Sequence, residues 1–255
     1  MSIETYGGGE RVQSAAALLA MGSSLKAEGH AVLLPIPTTK DKKHITNTDI
    51  PLTDALCNVR GGSIIAGWGL TEDFKTRAAL LGGRVLELSG DEEFVSENAY
   101  ITAIGAVGHI LKTSRKAPSD MSFAIVGYGR IGRMLTEMLL YFGGRLKVYT
   151  SKESTRIKLG ECGIQTCDSM DIYGGVQDFS DIDVLINTAP ADMTAAFPDR
   201  KIPEGLRVIE LASGNNFTGV EDVEHLPSLP ERMYPQSAGG AYFRAVKRFI
   251  SQYED

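Results

Sequence analysis

The stretch Met121 to Gly132, MSFAIVGYGRIG, restricts what this chain can fold into more than any other. Phe123 to Val126 is short, apolar and partly β-branched, which predicts a buried strand. Gly127, Gly129 and Gly132 follow in G-x-G-x-x-G spacing, and a helical pattern begins at Arg130. A dinucleotide-binding turn requires this order. The first glycine permits the tight turn out of the strand, the second lets the backbone approach a pyrophosphate, and the third lets helix and sheet pack closely, with the helix N-terminus facing the anion. The segment Gly127, Gly129, Arg130, Ile131 and Gly132 is therefore the expected cradle of a dinucleotide.

At 255 residues, 43% hydrophobic and 23% charged, the chain can bury a large core and form one big domain or two modest ones. A formal charge of −6 disfavours nonspecific attraction to nucleic acid or to an anionic membrane. No apolar run is long enough to cross a bilayer, and MSIETYGGGER lacks a basic-then-apolar leader, so a cytoplasmic location is expected. Cys57, Cys162 and Cys167 suit free thiols in a reducing compartment. The last two lack further ligands at zinc spacing, so no metal is expected.

The first half reads as α/β. A short strand around Ile3 to Tyr6 is followed by Gly7 to Gly9, a helix from Glu10 to near Glu28, and a strand from Ala31 to Ile36. The loop Thr38-Thr39-Lys40-Asp41-Lys42-Lys43-His44 comes directly after that strand, where open α/β sheets hold ligands. It reads either as a binding loop or as a solvated charge run. Two more β-α steps lead to a helix from about Asp91 to Thr113, with Tyr100, Ala103, Ile104, Val107, Ile110 and Leu111 as its expected buried face. Asn98, Thr102, Gly105 and His109 form a separate polar stripe, suited either to lining a cleft or to facing water.

KTSRKAPSD, Lys112 to Asp120, reads as a connector into a second domain. That domain holds the glycine turn, a helix from Arg130 to about Phe142 and a strand from Arg145 to Tyr149. An acidic residue at the end of such a strand binds the ribose 2′-hydroxyl of NAD. Here the sequence has Thr150, Ser151 and Lys152, with Arg156 one helical turn on, a set of hydroxyls and cations that favours NADP over NAD. Later strands end in Thr188-Ala189-Pro190 and in Ala212-Ser213-Gly214, which are expected along the same sheet edge on the nicotinamide side. Pro227, Pro230 and Pro235 mark an extended crossing segment. Gln236 to Tyr253 forms a closing helix with Tyr242, Val246, Phe249 and Tyr253 on one face. The expected architecture is two α/β domains. Residues 1–115 with the returning helix 236–255 form the first, and residues 116–235 form a Rossmann-type, doubly wound parallel sheet.

Several stretches, in matching order, resemble the oxidoreductase component, the A chain, of bacterial dipicolinate synthase: LLPIPTTKD at Leu33 to Asp41, ENAYITAIGA at Glu97 to Ala106, IVGYGRIG at Ile125 to Gly132, INTAPA at Ile186 to Ala191, ELASG at Glu210 to Gly214, and LPSLPERMYPQSAG at Leu226 to Gly239. The resemblance implies an NADP-dependent oxidoreductase of sporulation. It would oxidise a dihydropyridine dicarboxylate from the lysine and diaminopimelate branch to dipicolinate, beside a second, flavoprotein-like partner. It makes Thr38, Thr39, Lys40, Asn98 and Thr102 the candidate donors to the substrate carboxylates, in a cleft between the domains, and names no catalytic residue. A homo-oligomer is the expected assembly. Ile104 stands where the family carries a glutamate, the first domain is shortened, and Gly8-Gly9-Glu10-Arg11 approximates the family's Gly-Gly-Asp start. These departures favour the alternatives of a non-catalytic NADP-binding homologue or an oxidoreductase for another small acid.

Overall fold

The computed structural model describes residues 2–21 and 29–252. It divides into two compact units, one made of Met1–Ile101 with Pro230–Asp255 and the other of Thr102–Leu229.

The first unit carries a four-stranded sheet, β1 (Ser2–Thr5), β2 (His30–Leu33), β3 (Ile64–Gly67) and β4 (Arg84–Glu87), paired in that order and parallel throughout. Both faces of β3 are covered, so its run of Ile64, Ile65, Ala66 and Gly67 is buried without alternation. Helix α1 (Glu10–Met21) follows the glycine turn after β1, and the expected continuation to Glu28 lies outside the described residues. Helix α2 (Glu72–Leu80) starts at Thr71, whose hydroxyl accepts the Phe74 N–H, with Glu72 and Asp73 at the positive end of the helix. One sheet face is covered by Val12, Ala15 and Leu19 of α1 together with Ala241, Tyr242, Ala245 and Val246 of the C-terminal helix α8 (Pro235–Ser251). The expected return of the closing helix onto the first domain is therefore met. Gly239 permits it, because a Cβ there would collide with the Ser14 side chain and crowd the Arg11 carbonyl. Tyr253 lies outside the described residues.

Tyr242 is fully buried, and its hydroxyl lies 2.7 Å from the Ala66 carbonyl, 2.9 Å from the Leu34 carbonyl and 3.2 Å from the Leu34 N–H. It thus fastens α8 to the ends of β2 and β3. Tyr242→Phe is expected to lower stability by about 1–3 kcal/mol, seen as a fall in Tm with unchanged far-ultraviolet dichroism.

Helix α3 (Glu92–Thr113) corrects the expected burial. Phe94 and Ile101 enter the core of the first unit, and Ala103, Ala106, Val107 and Ile110 that of the second, whereas Tyr100 is 49% and Leu111 45% exposed. A helix that contributes to two cores has no single apolar stripe, so the spacing of apolar residues misplaces its face.

The second unit holds β5 (Ser122–Val126), α4 (Arg130–Tyr141), β6 (Arg145–Tyr149), α5 (Glu153–Glu161), β7 (Gln165–Cys167), α6 (Ser169–Tyr173), β8 (Val184–Asn187), β9 (Arg207–Glu210) and β10 (Glu224–His225). All pairs are parallel, in the order β10-β9-β8-β5-β6-β7. Read from β7, this is the 3-2-1-4-5-6 order of the doubly wound dinucleotide-binding sheet, as expected. The proline-rich stretch after His225 is not extended throughout. Leu229–Met233 forms helix α7, with Pro230 in its first turn, where a missing N–H costs nothing. No helix among the described residues is long and apolar enough to cross a membrane.

Candidate functional site

In the second unit the strand order reverses between β5 and β8, and the glycine turn opens at that point. Gly127 has φ +90°, a conformation that disfavours any side chain, and its N–H donates to the Tyr149 carbonyl at 2.9 Å. A Cβ on Gly132 would collide with the Gly127 carbonyl oxygen, so the third glycine is what lets α4 start this close to the strand. Gly129 differs from both. It caps α4 in an extended conformation, and the position of its missing Cβ faces open space. Open space over a twelve-residue helix N-terminus, with exposed Gly129 and Arg130 at its mouth, fits a pyrophosphate. Gly132 is buried and Ile131 partly buried against the core, so these two shape the turn from beneath.

Thr188 plays another part than the one expected. Its hydroxyl lies 2.9 Å from the Val126 carbonyl and 3.2 Å from that of Gly127, and its N–H donates to Val126 at 2.9 Å. It locks the turn from behind and has no proton left to offer a ligand. Ala189 also packs behind Gly127, and Pro190 beyond it is exposed.

At the ribose end, Thr150 is buried, while Ser151 and Lys152 are exposed. Arg156 is turned inward. Its Nη1 donates to the Thr150 carbonyl at 2.6 Å and pairs with Asp168 Oδ2 at 2.9 Å, bracing the ends of β6 and β7. Asp168 stands twelve residues further along the chain, and the spacing within one turn of helix gives no hint that the two would pair. Of the four residues expected to select the ribose substituent, Ser151 and Lys152 are the ones at the surface.

The ends of β8 and β9, within the stretches INTAPA and ELASG, hold a cluster whose pairing no local spacing announces. Glu210 is 3% exposed, and its carboxylate accepts from Asn187 Nδ2 at 3.1 and 3.2 Å, the Ala212 N–H at 2.6 Å and Asn216 Nδ2 at 3.2 Å. Asn187 also receives the Ala189 N–H on Oδ1 at 3.1 Å. One buried carboxylate thus ties together the two loops expected beside the nicotinamide. Burial pushes the Glu210 carboxyl above the ordinary glutamate value, although hydrogen bonds from Asn187, Ala212 and Asn216 pull the other way. Its sequence signal is a glutamate that ends an apolar strand and opens ELASG.

In the first unit, Thr38 is corrected as a substrate donor. It is fully buried, its hydroxyl donates to the Pro35 carbonyl at 3.0 Å and accepts the Trp68 N–H at 2.9 Å, so it joins the loops after β2 and β3. Thr39 donates to Asp41 at 3.2 Å, and exposed Lys40 reaches Asn47 Oδ1 at 3.4 Å. Asp41 accepts the N–H groups of His44 and Lys43, each at 2.8 Å, and contacts the His44 ring at 2.7 Å. These bonds hold its carboxyl well below the usual range. The loop is therefore built around its own aspartate. Asn98 is partly buried in the first unit and Thr102 buried in the second. His109 is engaged within the second unit. It pairs with Glu224 at 2.8 Å, and Arg207 grips the same carboxylate at 2.8 and 2.9 Å.

The glycine turn at the reversal point of a doubly wound parallel sheet defines a Rossmann-type fold for the second unit, and the first is a smaller parallel α/β unit. The chain is similar to D-lactate dehydrogenase from Escherichia coli, with a TM-score of 0.57 and 14% identity over 100% of this chain and 97% of that one. It is also similar to the A chain of dipicolinate synthase from Bacillus subtilis, at 0.77 and 17% over 100% and 98%. The same component of dipicolinate synthase from Bacillus halodurans matches at 0.76 and 20% over 98% and 97%. What is shared at these identities is the fold, and it extends the resemblance read from the sequence to the whole length of the chain. No family model matches the sequence, and a comparison with curated proteins finds no match.

Proposed function

We propose that the chain is an NADP-dependent oxidoreductase that oxidises a dihydropyridine dicarboxylate to dipicolinate in the cytoplasm of a spore-forming cell. Self-association and a second, flavoprotein-like partner belong to the same proposal. The observation that carries it is the open cradle over Gly129 at the start of α4, set at the reversal point of a 3-2-1-4-5-6 sheet. Its support is the likeness to two dipicolinate synthase structures along nearly their whole length.

In this reading the α4 N-terminus and the Gly129 backbone hold the pyrophosphate, and Ser151 and Lys152 face the 2′-phosphate. A bound nicotinamide supplies the acceptor for the hydride lost by the ring, and aromatisation drives the loss. The proton released with it leaves to solvent or a base. Glu210 fixes the loops Thr188-Ala189-Pro190 and Ala212-Ser213-Gly214 that would shape the nicotinamide side, and so acts as a positioning residue.

The test is titration with NADPH and NADH, followed by an assay of NADP reduction with the dihydropyridine dicarboxylate, with and without the flavoprotein-like partner. Lys152→Ala is expected to weaken NADPH binding about 5- to 30-fold and to leave NADH within about twofold. Tighter binding of NADH than NADPH to the unaltered protein would overturn the choice of NADP. Nucleotide binding without turnover under all these conditions would favour a sensor over an enzyme.

A further inference from the structure

Arg11 is the second residue of α1 and is 3% exposed, yet its Nε and Nη1 are buried without a hydrogen-bond partner among the described residues. A guanidinium stays charged in a protein, so this is a buried cation with Nε and Nη1 unmet. Burial pulls its pKa down. The group that opposes this most is the Glu231 carboxylate, followed by the Tyr242 hydroxyl.

Glu231 stands at the start of the same helix. Its Oε1 lies against the Cα of Gly9, so close that a Cβ on Gly9 would collide with it. Gly9 is the residue before α1, a twelve-residue helix whose first N–H groups point out of its end. A carboxylate therefore already stands beside Gly9, the residue before the helix, within reach of Arg11's field and without bonding to Nε or Nη1. The neighbouring backbone is shaped to admit a ligand there. Gly8 has φ +59° and open space where a side chain would be, and Gly7, at φ +81°, packs on Pro35 just beyond β2. The Tyr242 hydroxyl closes the inner side at the ends of β2 and β3, the sheet edge at which open α/β units hold ligands.

A structural ion pair would place Glu231 on the guanidinium. Here the acid stands against Gly9 and Nε and Nη1 remain unmet, a geometry that a second, better-placed anion would complete. A planar carboxylate matches both the guanidinium fork and the helix N–H groups.

We propose that Arg11, the turn Gly7-Gly8-Gly9 and the N-terminus of α1 form a binding site for the carboxylate of a small organic acid, and that Glu231 competes with that acid for it. The site deepens the oxidoreductase reading by giving one substrate carboxylate a place in the first unit, and rests on that reading only for the choice of probe.

The experiment is calorimetric titration of the full chain with pyridine-2,6-dicarboxylate and, separately, malonate, without nucleotide. Removing the competing charge in Glu231→Gln is expected to tighten binding of at least one acid about 5- to 20-fold, and Arg11→Met to weaken it about 30-fold or more. NADPH affinity should stay within about twofold in both variants, which separates this site from the glycine turn of the second unit. Unchanged acid affinity in a folded Arg11→Met variant, weaker binding in Glu231→Gln, or no binding of either acid to the unaltered chain and to Glu231→Gln would each overturn the proposal. If Arg11→Met does not fold, the Glu231→Gln result decides alone. Acid binding in this pattern with no nucleotide binding would keep the site and remove the oxidoreductase reading instead.

Discussion

Gly132→Ala is expected to weaken NADPH binding about 100-fold or more and to lower stability by about 1–3 kcal/mol. The added methyl would occupy the place of the Gly127 carbonyl oxygen, which belongs to the backbone and cannot rotate away. The start of α4 must then back off from β5, and the N–H groups that face a pyrophosphate move with it. Gly129→Ala supplies the contrast. Gly129 has φ −77° and nothing near its missing Cβ, so this variant should melt like the parent and still bind NADPH at least about tenfold more weakly, because the methyl enters the space left for phosphate. Fluorescence titration with NADPH and thermal melts check both. A Gly129→Ala protein that bound NADPH as tightly as the parent would show that the open space over α4 is not the pyrophosphate site.

The second large effect is expected at Glu210. Truncation to alanine deprives the Ala212 N–H of its acceptor, leaves the Asn187 and Asn216 amides with one fewer partner each, and opens a cavity among buried groups. The expected cost is about 2–4 kcal/mol, a fall in Tm of about 5–15 °C. Nucleotide affinity should fall as well, because both loops on that edge lose their anchor. Glu210→Gln separates shape from charge. A carboxyl whose folded-state pKa lies above its unfolded value contributes stability below the unfolded value, and that contribution is lost as pH rises through the folded one. The stability of Glu210→Gln relative to the parent should therefore improve as pH rises from about 4 to about 7, whatever the offset from the exchanged amide. A trend in the opposite direction would mean that the hydrogen bonds to the carboxylate outweigh its burial.

The parts of the fold legible in the sequence are those fixed by neighbours along the chain. The strand, three glycines and helix of Met121 to Tyr141 are readable because each glycine answers a local backbone need. What depends on distant partners is not. Thr38 and Thr188 look like loop hydroxyls offered to a ligand, and only the folded chain shows them turned onto the carbonyls of Pro35 and Val126. Arg156 reads as a free cation until Asp168 is brought beside it. Glu210 opens the stretch ELASG, but its role is not readable there, because it arises where β8 and β9 end side by side and two loops need one acceptor.

Tyr242 and its helix impose an order on biosynthesis. The second unit is one continuous run, Thr102–Leu229, and has its full core as soon as Leu229 has emerged from the ribosome. The first unit, although its strands are made earlier, lacks α8 until Ser251 is synthesised, and one face of its sheet is covered by α1 alone meanwhile. The nascent chain must therefore mature from its middle outward. A truncation that removes the C-terminal helix should strike hardest at the opposite end of the polypeptide.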